Sequence, residues 1–286
     1  MDAKGAGVPL TWLTCYDFSF ARALNSTELD LILVGDSGGM VSLGYSDTTP
    51  VTMNEMIHLS GAVRRGAPDK FIVGDMPKGS YEASNQDAIN NAMRFIKETG
   101  CDAIKLEGGL RMASRVQAIV DSGIPVIGHI GLTPQSATAQ GGYRVIGRGA
   151  DESAQLMRDA ESLQSAGAFG VLLEALPPSL SMKITSSFNF LVFGIGAGSH
   201  VDGQLLILYD LLGLYPNFRP KFAKCFVPQV SQIFSKSLPG SQELPDFGRN
   251  TRADGLYEIT RLAVELFISE TKSGLFPDEN YSYKDN

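Results

Sequence analysis

Five apolar runs along this chain end on a side chain that can ionise: 31–36 on Asp36, 71–75 on Asp75, 103–107 on Glu107, 125–129 on His129 and 170–174 on Glu174. Unbroken Val, Ile and Leu is the pattern of a parallel strand covered on both faces, so a charge in the last position marks where chain leaves core. Carboxylates held ~4 Å apart repel by roughly 4 kcal/mol per pair at an effective dielectric of 20. If Asp36, Asp75 and Glu107 meet at adjacent strand ends, the trio needs a cation. Oxygen donors alone select a hard ion, Mg2+ ahead of Mn2+ or Ca2+, which keeps positions open for water and substrate. Each aspartate by itself reads more readily as a strand-end turn or a helix cap. Recurrence at three consecutive strand ends is what favours the metal.

Lys105 and Glu107 lie two apart on one run, so a period of two aims both into the same space. Such a lysine could form a Schiff base with a carbonyl substrate, grip a carboxylate as a fixed cation, or neutralise Glu107. Glu174, followed by Ala175-Leu176-Pro177, stands in apolar surroundings that raise a carboxyl pKa, as suits a proton-transfer base; the alternative is a cap for a helix opening at 177–178. His129 reads first as a hydrogen-bonded structural histidine and second as a base. His58, within a helix, and His200, in a loop, are not candidates. The glycine-rich stretch 141–149 is either a lid over the site or a surface loop. The glycines of 194–198 would let a ligand approach the backbone closely.

The elements that must hold these groups alternate. Helical spacing runs over 52–65, 85–99, 112–120 and 153–165, each followed by glycine before the next apolar run. Strands at 10–14, 191–195 and 205–209 bring the count to eight. Strand, helix, strand repeated in this way calls for a parallel sheet with right-handed crossovers. Eight strands close into a barrel whose catalytic edge is the C-terminal one. An open doubly wound sheet would show a Gly-rich first turn, and the first turn here is Thr14-Cys15-Tyr16-Asp17. A single barrel domain over 1–286 is expected, with 226–286 as an extension packing outside it. That extension contains a turn-rich loop at 235–250 and a last amphipathic helix over 257–272.

The 286 residues suit one such barrel. A net charge of −7 argues against a phosphate-backbone partner. Cys15, Cys101 and Cys225 are scattered and odd in number, with no C-x-x-C pair, which fits a reducing compartment and neither zinc nor a redox dithiol. No apolar run approaches the ~18 residues of a membrane helix, and the start lacks a signal peptide's apolar core. A cytoplasmic protein is expected, or a mitochondrial one if a presequence has been removed.

The ordered stretches Leu33-Val34-Gly35-Asp36-Ser37, Ala62-Val63-Arg64-Arg65-Gly66-Ala67-Pro68, Lys105-Leu106-Glu107-Gly108-Gly109, Gly128-His129-Ile130-Gly131-Leu132-Thr133-Pro134-Gln135, Gly194-Ile195-Gly196-Ala197-Gly198 and Lys221-Phe222-Ala223-Lys224 resemble the ketopantoate hydroxymethyltransferase family. The likeness runs from about 10 to 224 and resumes at 273–277. It implies a (β/α)8 TIM barrel of the phosphoenolpyruvate/pyruvate type with an extra C-terminal helix, assembled as a homodecamer. It implies Mg2+ held by Asp36, Asp75 and Glu107, substrate contacts from Asp36, Ser37, Asp75 and Lys105, Glu174 as proton acceptor and His129 in support. The implied reaction moves a hydroxymethyl group from 5,10-methylenetetrahydrofolate to 3-methyl-2-oxobutanoate, giving 2-dehydropantoate for pantothenate and coenzyme A. Gly38 stands where the family commonly has a bulkier aliphatic residue, and Leu191 replaces a frequent proline. The chain begins almost at its first strand, where relatives carry a helix across the barrel floor. The stretch 227–251 is longer than usual.

Three other readings compete. A phosphoenolpyruvate-type lyase or mutase would carry a Lys-Cys-Gly-His loop, which is absent. A Schiff-base aldolase would use Lys105. A non-catalytic barrel would have no need of four intact acids.

Overall fold

Eight parallel strands form a closed barrel in strict chain order in the computed structural model, which describes residues 4, 7–139, 141–237 and 255–285. The elements follow as β1 (Leu10–Thr14), α1 (Phe18–Asn25), β2 (Leu31–Val34), α2 (Gly38–Val41), α3 (Met53–Gly66), β3 (Phe71–Asp75), α4 (Asn85–Arg94), β4 (Ala103–Glu107), α5 (Ala113–Asp121), β5 (Val126–Gly131), α6 (Ala150–Ser165), β6 (Gly170–Glu174), α7 (Pro178–Ser187), β7 (Leu191–Ile195), β8 (Gly203–Leu206), α8 (Leu208–Leu212), α9 (Val227–Ser237) and α10 (Leu256–Lys272). Eight strands of four to six residues with helices outside are the (β/α)8 architecture that the sequence pattern implies.

Strand residues are buried on both faces: β2 is Leu-Ile-Leu-Val without an exposed position, and β5 is buried over all six residues. That is why the runs show no alternation. Helix starts are written in side-chain oxygens. Asp17 accepts from the backbone N–H groups of Ser19 and Phe20 at 2.7 and 3.0 Å, opening α1. Thr52 and Glu55 form a reciprocal capping box at α3.

Several boundaries shift by one to three residues, and two elements differ in kind from the sequence reading. The eighth strand lies at Gly203–Leu206, pairing with Leu10 to Leu13 of β1 and with Phe193 and Gly194 of β7, and the chain is already helical at Leu208. The run 205–209 is apolar because a buried strand end passes straight into a buried helix, which periodicity cannot separate. The helix expected over 85–99 is α4 followed by a π turn at Phe95–Thr99. The helices α1, α2, α8 and α9 have no counterpart in the sequence reading.

The helix α10 lies against α1 and β1, and the chain beyond it returns to the mouth of the barrel. There the Asp285 carboxylate accepts from the Ser179 N–H, and Lys221 reaches the Ser282 carbonyl. Most of the loop expected at 235–250 falls outside the described residues. All three cysteines are free thiols. Among the described residues no helix is long and apolar enough to cross a membrane.

Candidate active site

The strand register sets the site. Asp75 on β3 is level with Lys105 on β4, Glu107 is level with His129 on β5, and Gly131 is level with Glu174 on β6. These ends, with Asp36 and Ser37 just beyond β2, line one cavity of about 340 Å³ at the C-terminal mouth of the barrel. It contains every residue singled out for chemistry: Asp36, Ser37, Asp75, Lys105, Glu107, His129 and Glu174.

None of the carboxylates serves as a helix cap. Asp36 accepts from the Gln135 amide at 2.9 Å, and Asp75 accepts from the Asp36 backbone N–H at 3.1 Å. The helix after Glu174 begins at Pro178 without a side-chain cap. Lys105 Nζ lies 2.7 Å from Asp75 and 4.0 Å from Glu107, so its first partner is the neighbouring strand's aspartate, which the register places beside it, and Glu107 comes second. Burial works against the Lys105 ammonium, but the carboxylates of Asp75, Glu107 and Asp36 outweigh it and raise its pKa. A lysine held protonated is a poor nucleophile, which speaks against the Schiff-base reading. Burial first, then the charges of Asp75 and Glu107, push the Asp36 carboxyl well above its usual range, against the pull of Lys105.

His129 stands between two acids, with Nδ1 3.5 Å from Glu107 and Nε2 3.3 Å from Glu174. Burial and Lys105 oppose its charge, yet the two carboxylates prevail and push its pKa up to about 9. The contacts are close enough for ion pairs without being aligned as hydrogen bonds. Both ring nitrogens and Glu107 Oε1 are buried with no hydrogen-bond partner. Orphaned buried polar atoms carry a desolvation cost that a bound group would relieve. Asp36, Asp75 and Glu107 therefore fit a hard cation by donor type, by charge excess and by that unclaimed oxygen. Among the described residues they are not gathered into a ready-made cluster around one point, because Lys105 and Gln135 take several of their lone pairs.

Gln135 is not a candidate from sequence alone, yet it knits the site together. Its amide also donates to the Met76 carbonyl, its backbone N–H donates to Glu107 at 3.1 Å, and its side-chain oxygen accepts from Tyr81 at 2.7 Å. A buried amide in a loop has no signature beyond its place after Thr133-Pro134. Ser37 is held by Tyr16 at 2.9 Å, and a Cβ on Gly38 would sit 2.7 Å from that tyrosine ring. The small residue is therefore what lets Tyr16 reach Ser37. Behind Glu174, Ala175 adopts a left-handed conformation with φ of 51°, the kind of strain found where a side chain must be aimed.

The stretch 141–149 does lie at the mouth, with Tyr143, Arg144 and Val145 on the cavity wall and Ile146 bonded to the Ala175 carbonyl at 3.0 Å. The space beside Gly196 is taken by Phe222, whose ring would meet a Cβ at 2.4 Å, so this glycine admits a cavity-wall side chain where the sequence reading expects a ligand. Tyr283 also lines the cavity.

Comparison with known proteins places this geometry. The family described as ketopantoate hydroxymethyltransferase matches residues 1–238. The chain is 47% identical over 265 residues to a 3-methyl-2-oxobutanoate hydroxymethyltransferase of Heliobacterium modesticaldum, covering 90% of this chain and 96% of that one. It is 44% identical to the protein of the same name from Desulfotalea psychrophila, covering 98% and 91%. Phosphoenolpyruvate phosphomutase from Streptomyces platensis subsp. rosaceus superposes with a TM-score of 0.59 at 15% identity over 94% of this chain and 96% of that one, a likeness of fold.

Proposed function

For a chain that belongs to the ketopantoate hydroxymethyltransferase family, and is thus a transferase of pantothenate synthesis, we propose Mg2+-dependent transfer of a one-carbon unit from 5,10-methylenetetrahydrofolate to 3-methyl-2-oxobutanoate at this cavity. The observation that carries it is His129 bridging Glu107 and Glu174 in one buried space, which couples the acids suited to a cation with an acid suited to a base.

Asp36, Asp75 and Glu107 would hold the metal, which when bound supplies a Lewis acid for the charge that develops on a keto oxygen. Lys105 is a fixed cation for the substrate carboxylate, and Ser37 offers a hydroxyl oriented by Tyr16. Glu174 removes the proton on C3. His129 orients Glu174 and keeps its charge from facing that of Glu107 directly. Water opens the donor's methylene bridge, and both C–N bonds break to leave tetrahydrofolate and a formaldehyde-level carbonyl bearing the water oxygen. The carbanion equivalent attacks that carbon, forming the new C–C bond while the resulting alkoxide takes back the proton held by Glu174. The net products are 2-dehydropantoate and tetrahydrofolate, with water supplying the hydroxyl oxygen. Assembly into a homodecamer is part of the same reading, and light scattering should then give a mass near ten times the 30.7 kDa chain.

Proton NMR of 3-methyl-2-oxobutanoate in D2O, with enzyme and Mg2+ and without folate, tests the chemistry. Loss of the C3 proton signal, abolished in Glu174→Gln, is expected. A folded, metal-loaded enzyme that leaves the signal intact would overturn the assignment.

A further inference from the structure

The cavity has a second polar feature to which the proposed keto-acid chemistry assigns no role. Asp210 lies in the first turn of α8, directly after β8, and β8 stands four strands from β4 in an eight-stranded ring. It therefore faces Lys105 and Glu107 from the far side of the mouth. Asp210 is only 6% exposed and lines the cavity, and its carboxylate accepts no hydrogen bond from any described residue. Burial pushes its pKa up to about 6, against the pull of the Arg219 guanidinium. A carboxylate left in that condition carries a desolvation cost that two parallel N–H donors would remove.

The chain that follows it along the cavity wall is aromatic. Tyr215, Phe218 and Phe222 follow α8 on the cavity wall, and Phe218 is 63% exposed. Phe222 is fixed from behind by the space at Gly196 and by the Tyr283 ring, whose centroid lies 6.1 Å away. Flat rings that share a cavity wall with an unpaired carboxylate suit a planar ligand whose edge bears adjacent N–H groups, whereas a simple ammonium would leave the rings unused.

We propose that Asp210, with Tyr215, Phe218 and Phe222, forms a second subsite that binds the aminopyrimidinone edge of a reduced pterin, the end of the folate donor remote from its glutamate. The inference rests on the reading that a folate supplies the one-carbon unit here. The subsite would present the donor across the cavity from the acids that activate the keto acid, so that the two substrates meet between β4 and β8.

Calorimetry with tetrahydrofolate and its 2-deamino-2-methyl analogue, on wild type and on Asp210→Asn, tests this. Wild type should bind tetrahydrofolate at least tenfold more tightly than the analogue, which lacks one donor. Asp210→Asn should lose about tenfold toward tetrahydrofolate, and its preference between the two ligands should collapse. If Asp210→Asn fails to fold, the wild-type discrimination between the ligands still decides. Equal binding of both by wild type overturns the proposal. So does an Asp210→Asn protein that binds tetrahydrofolate like wild type and loses only thermal stability, which would make Asp210 a partner for Arg219. Exchange of the C3 proton without folate separates the two readings: exchange without ligand discrimination removes this subsite alone, and absence of exchange removes the keto-acid chemistry.

Discussion

The two walls of the cavity are built on different plans. On the β2 to β6 side, charged groups sit on or directly after strand ends, all but the half-buried Glu174 are almost wholly buried, and they are cross-linked by Lys105, Gln135 and His129. On the β8 side, rings and one carboxylate sit on a short helix and the loop after it, with Phe218 open to solvent. Strands held in register fix atoms closely enough for proton transfer, while loops can adapt to a larger ligand. The contrast teaches that, in the roles proposed for them, reaction and recognition share one cavity while drawing on parts of the fold built differently, one on strands and one on loops.

The sharpest break in that comparison comes from Glu174→Gln, which keeps the shape of the strand-built wall and removes the base proposed for it. A general base is worth about 10²–10⁴-fold in rate, so C3 exchange followed by NMR should fall by that factor while thermal stability stays near wild type. A loss below tenfold would move the base elsewhere. Next is Lys105→Met, which leaves Asp75 buried without its nearest cation. Breaking a buried ion pair by removing one partner costs about 3–5 kcal/mol, and urea unfolding in the presence of a chelator should show it. Added Mg2+ should recover part of the loss if the acids hold a cation.

Gln135→Leu probes the cross-linking itself. It orphans Asp36 and the Met76 carbonyl, and each buried group left unpaired costs about 1–3 kcal/mol, so the thermal midpoint should fall and exchange should slow as Asp36 loses its fixed position. The mildest test falls on the loop-built wall. The Asp210 carboxyl has a pKa of about 6 in the folded chain against a reference of 3.8, so the folded state binds the proton more tightly. The stabilisation this gives is complete below the reference value and is lost as pH rises through 6. Asp210→Asn should therefore be more stable than wild type at pH 7, by about 1–2 kcal/mol once water in the cavity is allowed for. The difference should shrink as pH falls toward 5. A constant difference across that range would show that the carboxyl is not the group responsible.

Much of this is legible in the residues. Seven of the eight strands fall within two residues of the apolar runs at either end, because an unbroken apolar stretch bounded by glycine and a charge is hard to bury in any way but as a central strand. The spacing of Lys105 and Glu107 puts them on one side of one strand, and both line the cavity. Gln135, Tyr16 and Asp210 are invisible in the sequence because each acts from a loop or a short helix, where no period links position to direction. The eighth strand begins two residues before the apolar run that suggests it, where strand and helix share one hydrophobic stretch.

By itself the amino-acid order determined the barrel and the acids along its C-terminal edge, since burial on both faces and ionisation at strand ends leave a pattern readable in one dimension. Only the tertiary structure decided who meets whom. Lys105 answers Asp75 ahead of Glu107, His129 stands between two acids, and Asp210 looks back at them from the opposite wall. Those choices follow from register between strands and from closure of the ring, and both are relations between segments far apart in sequence, which local spacing does not encode.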